Sequence, residues 1–276
     1  MNRKSILYLI AGILLVLIVA AVIMVYPFFK FYSPGASEQI GAGLTILKAG
    51  GGNSGILVTD SAVVVIDTKM GNNAKRLFDT VQKLAGSKPV IVINTHYHGD
   101  HANGNKLFKG ARIYMGAYST AFLEKEMDQE NRPTNLVKDS LCLFLGRDTI
   151  AIYNLGQGHT WNDMVVLLKN RKVLFTGDLV FHKVNPYLGE EAGADLKKWM
   201  EALDRIIALP GVEILVPGHG EPGDISIAGE MKSYFTDMSL AAADPSKEKE
   251  MIAKYKDWTT VKPALSPENT IEFIRK

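Results

Sequence analysis

The chain has 276 residues, 47% of them hydrophobic and 22% charged, with no low-complexity tract. That composition excludes a disordered or fibrous protein, and the length suits one large α/β domain or two small ones. Its 31 basic and 29 acidic residues leave a net charge of +2 with no concentrated basic stripe, so nucleic acid is not an expected partner.

After Met1-Asn2-Arg3-Lys4 the chain is almost wholly apolar from Ile6 to Phe29, and the next charge is Lys30. About 24 residues at about 1.5 Å rise per residue give roughly 36 Å of helix, enough to cross a hydrocarbon core of about 30 Å. Residues 1–30 are therefore expected to be a single-pass anchor in the cell membrane. No convincing small-x-small cleavage site follows the run, so an uncleaved anchor leads and a signal peptide is the competing reading. Arg3 and Lys4 outweigh Lys30, which keeps the N-terminus in the cytoplasm and the rest outside it. Tyr26, Phe28, Phe29, Phe31 and Tyr32 would then make an aromatic belt at the far interface. Residues 31–40 read as a linker and 41–276 as the folded domain, with C-terminal helices from about 225.

Short strands are predicted at Leu44–Lys48, Ile56–Thr59 and Ala62–Ile66. The glycine run from Gly50 to Gly55 reads as a mobile hairpin tip, since no Gly-Lys-Ser/Thr ends it as in a phosphate loop. Asn73–Ala85 has a helical apolar face of Leu77, Phe78, Val81 and Leu84. Strand Val90–Ile93 follows, then helix Ala102–Phe108, strand Arg112–Met115 and helix Ala117–Met127. Strands Ile150–Leu155, Val165–Leu168 and Val173–Thr176 come next, with Asn170-Arg171 turning the last two into a hairpin. Helix Asp195–Leu209 and strand Ile214–Val216 complete the alternation, which implies sheets covered by helices. Cys142, the one cysteine, lies in an apolar stretch and reads as a small buried hydrophobe.

Directly after Val90–Ile93 stands His96-Tyr97-His98-Gly99-Asp100-His101, which holds half of the six histidines. Neutral imidazole and carboxylate are the ligands that zinc and its neighbours prefer, and a strand end holds them where substrate can reach. His159 and His219 sit in glycine-flanked turns after strands, and Asp178 follows strand Val173–Thr176 in Gly177-Asp178. Together these strand ends mark a metal site.

The order His-x-His-x-Asp-His, Gly-His-Thr, Gly-Asp and Gly-His-Gly resembles the metallo-β-lactamase superfamily from about Leu44 to Gly220. Asp67 falls where that family has a structural aspartate ending an early strand. The resemblance implies a four-layer αβ/βα sandwich with a two-metal site at one edge of its sheets, here preceded by a transmembrane helix. It implies that His96, His98 and His159 hold one zinc, that Asp100, His101 and His219 hold a second, and that Asp178 bridges them. A metal-bridging hydroxide would then attack the carbonyl of a small ester, thioester or lactam, with Asp100 orienting it and taking its proton. The cysteine-ligand lactamases carry Cys where this chain has Asp178, which tilts the reading toward esters and thioesters. Alternatives are a cysteine-free metallo-β-lactamase and a persulfide dioxygenase using one iron. In the loop after Asp178, His182 is read first as structural and second as a substrate contact, and Tyr187 is a candidate substrate contact. Asn162-Asp163 is expected to pin the Gly-His-Thr turn.

Overall fold

The computed structural model describes residues 3–41 and 43–276. Two sheets face each other. The first has seven strands in sequential order: β1 (Pro34–Gln39), β2 (Leu44–Ala49), β3 (Ser54–Val58), β4 (Val63–Ile66), β5 (Val90–Ile93), β6 (Arg112–Gly116) and β7 (Asn135–Val137). Hairpins pair β1 to β4 antiparallel, and crossovers make β4 to β7 parallel. The second has five: β8 (Ser140–Leu145), β9 (Asp148–Gly156), β10 (Asp163–Leu168), β11 (Val173–Phe181) and β12 (Ile214–His219). Only the β11–β12 pair is parallel in that sheet.

Residues of β4 show how the layers form. Val63 and Val65 face one way and pack with Leu77 and Val81 of α2 (Gly71–Ala85). Val64 and Ile66 face the other way and meet Ile150, Val166 and Phe175 of the second sheet. A strand buried on both faces has no polar positions, which is why these runs are continuous rather than alternating. Behind the second sheet, Trp199, Leu203 and Ile206 of helix Leu196–Ile207 pack with Tyr234 and Phe235 of helix Ser226–Ala243. The order helix, sheet, sheet, helix is the four-layer αβ/βα sandwich that the motifs implied.

The N-terminal helix α1 spans Arg3–Tyr32, and within it Ile10–Phe29 has mean hydropathy 2.8 with none of it buried. Residues 31–40, expected to be a plain linker, instead end α1 and form β1, which pairs with β2 through Ser37–Leu47 and Glu38–Ile46. Helix Ala102–Phe108 is replaced by a short α3 (Gly99–Ala102) and a 3-10 turn at Asn105–Leu107. Buried Asn105 cross-links that turn, its side chain bonding Asn94, Thr68 and Asn131. Cys142 is exposed, not buried. It lies on β8, an edge strand whose Leu141 and Leu143 face the core while Cys142 and Phe144 face solvent. Apolar composition disguised that alternation.

Leu77 is fully buried between α2 and the first sheet. Leu77→Ala should cost about 2–5 kcal/mol of stability, read from the shift of a urea unfolding curve.

Candidate metal centre

All the strand ends that carry candidate ligands lie along one edge of the paired sheets. β5 runs out into His96 and His98, and α3 carries Asp100 and His101. The β9–β10 turn supplies His159, β11 supplies Asp178, and His219 ends β12. Each strand is fixed in its sheet by core packing, so side chains distant in sequence are held in one place before any ligand binds.

Their donor atoms fall into two groups that could each hold a metal ion. His96, His98, His159 and Asp178 form one, and Asp100, His101 and His219 the other, with the donors of each group all within 4.8 Å of one another. Asp178 lies between them. Its Oδ2 is 3.4 Å from His159 Nε2, 3.8 Å from His96 Nε2 and 3.4 Å from His219 Nε2, while its Oδ1 is 3.0 Å from His101 Nε2. Asp100 Oδ2 is 3.3 Å from His219 Nε2.

Asp67, at the end of β4, sets which nitrogens face the centre. Its Oδ1 accepts Thr95 N–H, and its Oδ2 accepts the Thr95 hydroxyl and His101 Nδ1, each at 2.8 Å. With its proton given to Asp67, Thr95 Oγ1 accepts from His96 Nδ1 at 3.1 Å. Both rings therefore spend Nδ1 on the fold and turn Nε2 inward, the arrangement that orients imidazole ligands in metal sites. Asp67 takes a left-handed backbone, φ 57°, to reach this position. Asp163 pins the neighbouring turn as expected, accepting Thr160 N and Oγ1.

Crowding of this kind displaces protonation equilibria. Burial pushes His96 well below the ordinary imidazole value and His159 down to about 3. Burial would also lower His101 and His219, but Asp178 and its fellow carboxylates outweigh it, raising His101 well above the ordinary value and His219 to about 9. Asp100 and Asp178 are held below the usual carboxylate range because His101 and His219 overcome the cost of burying them. His96 Nε2, His101 Nε2 and Asp178 Oδ1 are buried without a hydrogen bond, although the last two lie 3.0 Å apart. Buried polar atoms are rarely left so, and a cation at the centre would satisfy all three.

Several contributors were not legible in the sequence. The glycine run is not a mobile tip: Gly50 to Asn53 are buried and packed on the cluster. Asn53 Nδ2 donates to Pro217 O at 2.9 Å and Gly220 O at 2.8 Å, tying the run to the turn that carries His219. Buried Lys69 donates to Ala49 O and Gly52 O at 2.6 Å, and burial lowers its pKa to about 8. Any Cβ on Gly52 would lie 2.2 Å from His101 Cε1, and one on Gly218 would lie 2.0 Å from Asp178 Oδ1. Glycine is needed at both for the backbone to approach the cluster.

A pocket of about 550 Å³ opens over the cluster, with His98, Asp100, Asp178 and His219 on its floor. Tyr187 lines it, with its ring 5.9 Å from His98 and its hydroxyl donating to Glu191 Oε1. His182 lies on a neighbouring pocket: its Nδ1 is 2.6 Å from Glu221 O, and its backbone N–H donates to His219 O. Trp161 is exposed and packs over Gly193.

A family model described as metallo-beta-lactamase superfamily matches residues 47–219. The chain belongs to the metallo-β-lactamase superfamily. It is 31% identical over 173 residues to metallo-beta-lactamase type 2 of Elizabethkingia meningoseptica, covering 61% of this chain and 69% of the relative. To the type 2 enzyme of Bacillus cereus it is 30% identical over 177 residues, covering 62% and 68%. The solved metallo-beta-lactamase from Pontibacter korlensis superposes with a TM-score of 0.64 at 25% identity, covering 73% of this chain and 98% of that one. The protein is thus a metal-dependent hydrolase of this superfamily.

Gly52→Ala should lower stability by about 1–3 kcal/mol, because the loop must retreat from His101. Gly229→Ala, on an open helix surface, should instead leave stability unchanged or raise it by roughly 0.5–1 kcal/mol. Thermal unfolding of both variants checks the contrast.

Proposed function

We propose that the protein is a membrane-anchored, binuclear zinc hydrolase that cleaves a small ester, thioester or lactam. The observation that carries this reading is the position of Asp178, within 3.0–3.8 Å of imidazoles in both donor groups. His96, His98 and His159 would hold one zinc, Asp100, His101 and His219 the other, and Asp178 would touch both. Zinc bound there supplies an activated water near neutral pH and polarises a carbonyl oxygen.

The chain's own residues do the rest. Asp100 is the more open of the two carboxylates on the pocket floor, close enough to His219 to be oriented and open enough to orient a water and accept its proton at a carboxylate oxygen. Asp67 and Thr95 hold the His101 and His96 rings in the ligating tautomer. Tyr187 stands beside His98, where the substrate must pass. The anchor is supported by the exposed apolar stretch of α1 and by Arg3 and Lys4 on its N-terminal side, which orient the domain away from the cytoplasm.

Among the three bonds, an aspartate rather than a cysteine at position 178 favours ester or thioester. The relatives, metallo-beta-lactamases, favour a lactam, cleaved by an enzyme with no cysteine among its metal ligands. Kinetics on a p-nitrophenyl ester, an aryl thioester and a chromogenic cephalosporin separate them. Asp100→Asn should reduce kcat on whichever is cleaved by roughly 10²–10⁴-fold.

Elemental analysis of the purified chain should give two zinc per molecule, falling to one or fewer in Asp178→Ala. One iron per chain with no hydrolysis of any of the three would overturn the reading in favour of sulfur oxidation. Metal at a thousandfold above its Kd contributes about 4 kcal/mol. Chelation should accordingly lower the melting temperature by roughly 8–16 °C, at about 2–4 °C per kcal/mol for a domain of this size.

A further inference from the structure

One wall of the pocket is not built by the sandwich at all. Phe28, Phe31 and Tyr32, the last turn of α1, stand over the donor cluster, and the segment 261–265 faces them. Phe31 stacks on the His219 ring with centroids 4.8 Å apart and planes 21° apart. Tyr32 meets Phe28 at 4.8 Å and Phe31 at 5.2 Å, so the three rings form one surface. This end of α1 is fastened to the domain. Asn73 Nδ2 donates to Tyr32 O at 3.0 Å, and β1, which follows at once, pairs with β2.

The pocket is therefore divided. Its floor offers imidazoles and carboxylates, while its walls offer aromatic rings together with Met70 and Leu265, and the ammonium of Lys262 in the wall is paired with Glu268. A scissile carbonyl has to lie on the floor, and whatever is attached to it must lie against the walls. A polar arm would lose water there for few partners, whereas each buried methylene is worth about a fourfold gain in affinity.

We propose that the aromatic end of α1 is a specificity element that binds the apolar arm of an amphiphilic acyl substrate. The inference rests on the hydrolase reading of the same site and names its substrate class. The wall continues into the exposed apolar length of α1, Ile10–Phe29. With that length in a bilayer, the pocket opens at the membrane surface, where amphiphiles concentrate.

The test uses the full chain in detergent micelles, loaded with zinc, and calorimetric titration with acetohydroxamate and hexanohydroxamate. Both present the same chelating head and differ by four methylenes in the arm. The wild type should bind the longer compound at least tenfold more tightly. In the double variant Phe28→Ala/Phe31→Ala that ratio should fall to within twofold, while Phe28→Leu/Phe31→Leu, which keeps apolar area, should retain it. Circular dichroism melting checks that each variant is folded. Equal affinity of the wild type for the two compounds, no binding of either, or a preference that survives the alanine variant would overturn the proposal. Hydrolysis of p-nitrophenyl acetate and hexanoate is measured in parallel. Its complete absence, together with no turnover of the thioester or the cephalosporin, sinks the hydrolase reading, whereas the hydroxamate ratio still reports on the wall.

Discussion

The structure is organised around the cost of burying the Asp178 carboxylate among imidazoles. Five histidines and two carboxylates meet at one sheet edge, almost all of them out of water. Isolated, such groups would be expensive to desolvate. Mutual charge compensation offsets part of that expense, which is why His219 and His101 are raised while Asp178 and Asp100 are lowered. The remainder appears as buried nitrogens and an oxygen without hydrogen bonds, a configuration that suits an ion and little else.

Much of the surrounding fold serves to keep that cluster from relaxing. Asp67 adopts a left-handed backbone so that one carboxylate can hold Thr95 and His101 together. The Gly50–Asn53 run closes the cluster from the side, fastened by Lys69 and by Asn53 to the turn that carries His219. Gly218 leaves the space that the Asp178 carboxylate occupies. These residues contribute no donor to the centre. They hold the donors close together against repulsion among imidazoles, and strain and unusual contacts are concentrated where function requires them.

A second feature is the division of the pocket between two parts of the chain. The sandwich supplies the floor of imidazoles and carboxylates, and the last turn of an apolar helix supplies part of the wall. Within one fold, ligand chemistry and pocket lining vary independently.

The sequence by itself determined the layered α/β class, most strand and helix positions, and the residues that would gather at the site. Continuous apolar strands demand helices on both outer faces, and ligand-type residues repeated at strand ends have no structural reason to be there. The α3 region, β7 and β8, and the face on which Cys142 lies were not legible, because short edge elements take their shape from neighbours rather than from their own periodicity. Only the tertiary structure decided that the glycine run is buried against His101, that Lys69 and Asn53 support the site, and that His182 turns to Glu221 while Tyr187 faces the pocket. It alone brought the end of α1 onto His219. Those outcomes depend on contacts between segments far apart in the chain, which local pattern does not encode.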